Sequence, residues 1–129
     1  MNLTGKRVLL LGAETDLGAE VASALAEAGA TLALVSSTDA GDAAFAVKRL
    51  ARKLGAFSQA IDASNEMAVR VMVRQVAKEL GSLDATVICT DSEHIERFAT
   101  REMEKGGGGV FVDAREAADV AAAVAGESA

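Results

Sequence analysis

Proline, tryptophan and tyrosine are missing altogether from this 129-residue chain, and cysteine occurs once. Without proline, the breaks between elements rest on Gly, Ser, Asp and Asn. With four phenylalanines as the only aromatics, the core must be built from Ala, Val, Leu and Met. The lone Cys89 excludes an intramolecular disulfide and fits a reducing compartment. No apolar run approaches the ~20 residues of a membrane span, and the N-terminus lacks the charged-then-apolar pattern of a signal peptide. The expected location is therefore cytoplasmic. Cations are outnumbered, 13 Lys and Arg against 19 Asp and Glu, for a net charge of −6. That balance argues against nucleic acid and against an anionic membrane as partners.

Half of the residues are apolar, which is enough for one soluble domain, expected over residues 1–129 with no linker or repeat. The segment Val8-Leu9-Leu10-Leu11-Gly12-Ala13-Glu14-Thr15-Asp16-Leu17-Gly18 says most. It reads as a buried strand, a glycine turn and a helix opening at Leu17, which is how a Rossmann-type fold presents a helix N-terminus to a pyrophosphate. Similar units follow. Strands are expected at Arg7–Leu11, Thr31–Val35, Phe57–Ile61, Ala85–Cys89 and Val110–Val112, the early ones as continuous apolar runs covered on both faces. Helices are expected at Gly18–Ala28 (closed by Gly29), Asp42–Leu54 (closed by Gly55), Ser64–Leu80 (closed by Gly81) and roughly Glu93–Lys105. In the second helix Phe45, Val47, Leu50 and Leu54 are expected inward. Asp113 and Glu116 suggest a capping box for an Ala-rich last helix. Alternating strands and helices with short connections predict an α/β, three-layer, doubly wound parallel sheet of about five strands, order 3-2-1-4-5, with any ligand site at the switch between strands one and four.

From Leu3 to about Cys89 the sequence resembles a short-chain dehydrogenase/reductase, in shortened form. Leu3-Thr4-Gly5-Lys6-Arg7-Val8 is similar to the family's entry into its first strand, and Gly12 to Gly18 has the spacing of its Thr-Gly-x-x-x-Gly-x-Gly motif. Ile61-Asp62 stands where the family has an adenine-contacting aspartate. Leu83-Asp84-Ala85-Thr86-Val87 is similar to the approach to its Asn-Asn-Ala-Gly motif. The departures fall at functional positions. Leu11 replaces the motif threonine and Asp16 the middle glycine; Ile88-Cys89-Thr90-Asp91 stands for Asn-Asn-Ala-Gly; Val112-Asp113-Ala114-Arg115 stands where the family carries its catalytic serine. About twenty residues separate strands four and five, fewer than the family uses, and no Tyr-x-x-x-Lys follows. Family-type proton transfer then has no donor.

By this resemblance, NAD or NADP would lie on Gly12, Ala13, Asp16, Leu17 and Gly18 of the first turn, on Ser36 and Ser37 after the second strand, and on Asp62 and Ala63 after the third. Asp16 opposes such binding. A carboxylate about 5 Å from a phosphate, at an effective dielectric near 20, costs roughly 3 kcal/mol, or about a hundredfold in affinity. Thr15 or Asp16 also serves as an ordinary N-cap. Neither an acid for a ribose nor an arginine for a 2′-phosphate stands at Ser36 or Ser37, which equally form a polar turn. Asp62 is equally a turn residue before Ser64. Cys89, Asp91, Glu93 and His94 cluster at one strand end but match no standard zinc spacing. Gly106–Gly109 reads as a turn, and Lys48, Arg49, Arg52 and Lys53 as a solvated helix face. The Ser64–Leu80 helix carries Met67, Val69, Val71, Met72, Val73 and Val76, an apolar surface wider than one sheet face needs, which suggests self-association.

The sequence therefore predicts a catalytically inactive relative, with weak or absent NAD(P) binding, working as a homo-oligomer or beside a full-length subunit of the same family. One alternative is an oxidoreductase whose proton donor comes from a partner or from an atypical residue such as Cys89. Another is an adenine-nucleotide sensor.

Overall fold

The computed structural model describes residues 2–126. Five parallel strands, β1 (Arg7–Leu11), β2 (Thr31–Ser36), β3 (Phe57–Ala60), β4 (Ala85–Ile88) and β5 (Val110–Asp113), lie in the order β3-β2-β1-β4-β5. The helices are α1 (Asp16–Glu27), α2 (Gly41–Leu54), α3 (Glu66–Leu80), α4 (Ile95–Lys105) and α5 (Val120–Val124). This is the doubly wound architecture expected.

Alternation along the strands divides the core. Successive side chains of a strand point to opposite faces. Val8 and Leu10 of β1, Leu32 and Leu34 of β2, and Ala85 and Val87 of β4 pack with Val21 and Leu25 of α1, Val47 of α2 and Val124 of α5. Leu9, Leu11, Ala33, Val35 and Ile88 pack on the other face with Met72, Val73 and Val76 of α3 and Ile95, Phe98 and Met103 of α4. Val8 through Leu11 are fully buried, because β1 pairs with β2 on one side and β4 on the other and is covered by helices above and below.

Helix ends follow local chemistry, with some departures from expectation. α1 begins one residue earlier than Leu17 because Thr15 is its N-cap and accepts a hydrogen bond from the Gly18 N–H at 2.8 Å. α3 begins at Glu66 rather than Ser64, since the Asn65 side chain caps it through the Ala68 N–H. α4 begins at Ile95, two residues after Glu93. α2 follows Ala40 with no side-chain cap. The capping box expected of Asp113 and Glu116 does not form. Asp113 instead takes the Arg115 N–H and guanidinium, and α5 is capped by Asp119. Phe45 is 62% exposed rather than inward. At ~100° per residue it lies roughly 160° around α2 from the buried Val47, and the Arg49 guanidinium covers its ring at 5.0 Å. Met67 and Val71 of α3 are likewise exposed, so the apolar surface of that helix extends beyond its own sheet.

α1 approaches the turn leaving β1 closely at Gly18. A Cβ built on Gly18 would fall 2.1 Å from the Gly12 carbonyl oxygen, so only glycine lets the helix seat there. Gly18→Ala is expected to lower the unfolding free energy by about 2–3 kcal/mol in urea denaturation. Gly41→Ala, where an added Cβ meets nothing within 4 Å, is expected to leave stability unchanged or raise it by ~0.5 kcal/mol.

Candidate functional site

The strand order reverses at β1, so the loops leaving β1 and β4 part there and open a crevice at the carboxyl edge of the sheet. Gly12 starts the first loop with φ +93, a left-handed conformation suited to glycine, and a Cβ there would come within 2.9 Å of the Thr90 side chain leaving β4. The Gly12 and Ala13 N–H groups donate to the Val35 carbonyl at 2.9 and 3.2 Å. The Gly18 N–H is taken by Thr15, whose hydroxyl donates to the Gly12 carbonyl at 2.8 Å. Asp16 and Leu17 are the first-turn residues whose N–H groups find no acceptor among the described residues.

Glu14, rather than Asp16, is the carboxylate engaged inside the site. It reaches across to the loop after β2 and accepts from the Ser37 N–H at 3.0 Å and from the Ser37 hydroxyl. Asp16 stands exposed at the first position of α1, where its charge favours the helix dipole. The other hydroxyl after β2 is engaged as well: Ser36 is fully buried and donates to the Thr38 carbonyl at 2.7 Å. On its far side the same loop is tied to the chain after β3, through the Ile61 N–H on the Ser36 carbonyl and the Ala63 N–H on the Ser37 carbonyl. Asp62 folds into a turn. One of its oxygens accepts from the Ser64 N–H and hydroxyl at 3.0 and 2.5 Å, and these bonds hold its carboxyl below the ordinary carboxylate range.

Between these loops lies a cleft of about 280 Å³, lined by Ser37, Asp62, Ala63, Ser64, Asp91, Ser92 and Glu93. The Ser92 hydroxyl is enclosed and has no partner among the described residues. Three of the lining residues are acids, with Glu14 behind Ser37. The site thus gathers Gly12, Ala13, Leu17 and Gly18 at one end, and Ser37, Asp62 and Ala63 at the other. The glycines serve internal contacts, Gly12 against Thr90 and Gly18 against the Gly12 carbonyl. The Ser37 donors are engaged by Glu14, and the Arg115 guanidinium stands 3.8 Å from Asp91.

The candidate chemical groups are also restrained. Cys89 is 5% exposed, and its thiol is pushed up to about 12, first by burial and then by the Asp113 and Glu14 carboxylates. At neutral pH it stands as the protonated thiol. Asp113, at the end of β5, is held below its ordinary range chiefly by the Arg115 guanidinium, which grips both its oxygens at 2.9 and 2.8 Å. It stays ionised. His94 stands at the N-cap of α4 without a capping bond. No group of acids, His and Cys among the described residues is arranged to hold a metal, and Gly107 and Gly108 form a left-handed turn into β5. No helix among the described residues is long and apolar enough to cross a membrane.

Sheet order, glycine turn and switch-point crevice together define a Rossmann-type α/β domain. Residues 12–104 match the family model described as Enoyl-(Acyl carrier protein) reductase. The chain belongs to the short-chain dehydrogenase/reductase family. Its fold is similar to a short-chain type dehydrogenase/reductase from Mycobacterium marinum, with TM-score 0.68 and 28% identity over 86% of this chain and 56% of that one. It is also similar to hydroxysteroid dehydrogenase from Escherichia coli, with TM-score 0.74 and 23% identity over 85% and 54%, and to an NAD+-bound xylitol dehydrogenase, with TM-score 0.73 and 21% identity over 88% and 54%. The chain thus spans about half the length of these solved structures. No curated protein matches it.

The state of Cys89 is directly measurable. Iodoacetamide at pH 8 is expected to label it about a thousandfold more slowly in the folded chain than in the urea-unfolded one. The folded thiol keeps its proton up to about 12 while the unfolded one ionises near 9. The unfolded state therefore sheds a proton first, and stability is expected to fall as pH rises through that window. Cys89→Ala should remove that pH dependence in denaturation curves.

Proposed function

We propose that this domain is a non-catalytic member of its family that binds NAD or NADP weakly or not at all. Its work is association in the cytoplasm, either in a homo-oligomer or beside a full-length subunit of the same family. The observation that carries this reading is the Glu14 carboxylate on Ser37. A side chain of the protein itself occupies the donors after β2 and leaves a negative charge where a dinucleotide would be read. The acids Asp62, Asp91 and Glu93 along the neighbouring open cleft act in the same direction, weakened by solvent and by Arg115 at 3.8 Å from Asp91. The groups that would have to supply acid chemistry are unsuited to it, Cys89 through burial and Asp113 through Arg115.

A second reading, an NAD(P)-dependent oxidoreductase completed by a partner, draws on the open N–H groups of Asp16 and Leu17 and on the bound NAD+ of the similar xylitol dehydrogenase. Titration calorimetry with NADH and NADPH separates the two. The unmodified chain is expected to show no saturable binding below ~1 mM. Glu14→Ser, and to a smaller degree Asp16→Gly, are expected to gain affinity, up to about a hundredfold for a carboxylate removed ~5 Å from a phosphate. Micromolar binding by the unmodified chain, or hydride transfer to any carbonyl substrate, would overturn the non-catalytic reading.

A further inference from the structure

The face opposite α1, α2 and α5 carries a charge pattern that the nucleotide site does not explain. Arg70, Arg74 and Lys78 follow one another at one-turn spacing along α3, and Arg97, Arg101 and Lys105 do the same along α4. The rows face each other across the seam between the two helices. Arg70 shares an opening of about 590 Å³ with Arg97 and Arg101. Arg74 and Lys78 share one of about 300 Å³ with Lys105, and a small opening among Arg70, Arg74, Arg101 and Lys105 lies between the two. Six of the chain's 13 Lys and Arg therefore line one groove of a protein whose net charge is −6. Two of them meet carboxylates, Arg97 with Glu66 at 2.5 Å and Lys105 with Glu102 at 2.9 Å. Arg70, Arg74, Lys78 and Arg101 form no ion pair among the described residues.

Such an arrangement is costly by itself. Like charges one turn apart destabilise a helix, and here two such rows also confront each other. An anionic ligand would relieve both repulsions. The groove is not purely ionic: Met67 stands 61% exposed at its wider end, where the Arg97 and Arg101 guanidiniums cover the buried Phe98, 4.6 and 5.7 Å from its ring centre. Cations spaced one turn apart, with an exposed apolar side chain at one end, match a helix with carboxylates on one side and apolar residues on the other. We infer that the α3/α4 groove is a docking site for an acidic amphipathic helix of a partner protein.

Other occupants fit less well. A second copy using the same face would set six cations against six. Nucleic acid presents phosphates and has no apolar face to set against the exposed Met67. The inference gives a partner chemistry to the association reading above. It concerns a different face from the nucleotide site, so each can fail alone.

The test uses a fluorescein-labelled helical peptide with Glu at one-turn spacing on one face and Leu on the other, titrated with the whole chain by fluorescence anisotropy. Binding is expected to fall about tenfold or more with Arg70→Glu/Arg101→Glu and when the peptide's Glu residues are replaced by Gln. It should be unchanged with Lys48→Glu/Arg52→Glu on α2. Circular dichroism checks each variant, and Arg70→Gln/Arg101→Gln serves if the charge reversal unfolds the chain. Three results would overturn the inference: no peptide binding below ~1 mM, affinity insensitive to the groove substitutions, or tighter binding of a DNA duplex of equal charge. The NADH titration is read separately. Micromolar cofactor binding with intact peptide binding would remove the non-catalytic reading and leave the groove.

Discussion

Everything in this domain is hung on β1. Val8 to Leu11 are excluded from water, hydrogen-bonded to β2 on one side and β4 on the other. Their side chains alternate between two separate cores. A strand in that position must be apolar at every residue, and it must release the chain into a helix without losing contact with its neighbours. Gly12 turns the backbone and Gly18 lets α1 settle against the turn. The same geometry fixes where a ligand can bind, because the sheet order reverses beside this strand.

Geometry and charge disagree at that crevice. The backbone keeps the form that serves pyrophosphate elsewhere, while the surrounding side chains are acids: Glu14 bonded to Ser37, Asp62 in its turn, Asp91 and Glu93 along the cleft. Preserving a loop takes only glycines at the right positions. Binding a polyanion takes free donors and a favourable potential as well, and the donors here are divided: Ser37 is engaged by Glu14, while the Asp16 and Leu17 N–H groups stay open. The fold alone therefore carries no activity across from its relatives.

The charge distribution adds a second contrast. The carboxyl edge of the sheet carries mostly acids, with Arg115 gripping Asp113 and standing 3.8 Å from Asp91, whereas the seam between α3 and α4 collects cations. An average of −6 conceals both. Net charge speaks to long-range behaviour and solubility; recognition is set by where the charges stand.

The order of elements was legible because it depends on local, repeating signals. Buried runs such as Val8–Leu11 mark strands, and Gly29, Gly55 and Gly81 stop helices at the residues where the backbone turns left-handed. The glycine motif and its two ends were legible for the same reason. Phe45 lies outside because its angle around α2, and not its hydrophobicity, decides its exposure. The role of Glu14 was hidden, since its partner Ser37 is 23 residues away in sequence and meets it only when β1 and β2 pair. The cationic groove was hidden likewise, its two rows lying on helices that become neighbours only through the sheet. The sequence by itself determined the strands, the turns and the family, all properties of short segments. Which carboxylate occupies the crevice, how high the Cys89 thiol is pushed, and which cations face one another were decided by tertiary structure, because electrostatics depends on distance in space rather than along the chain.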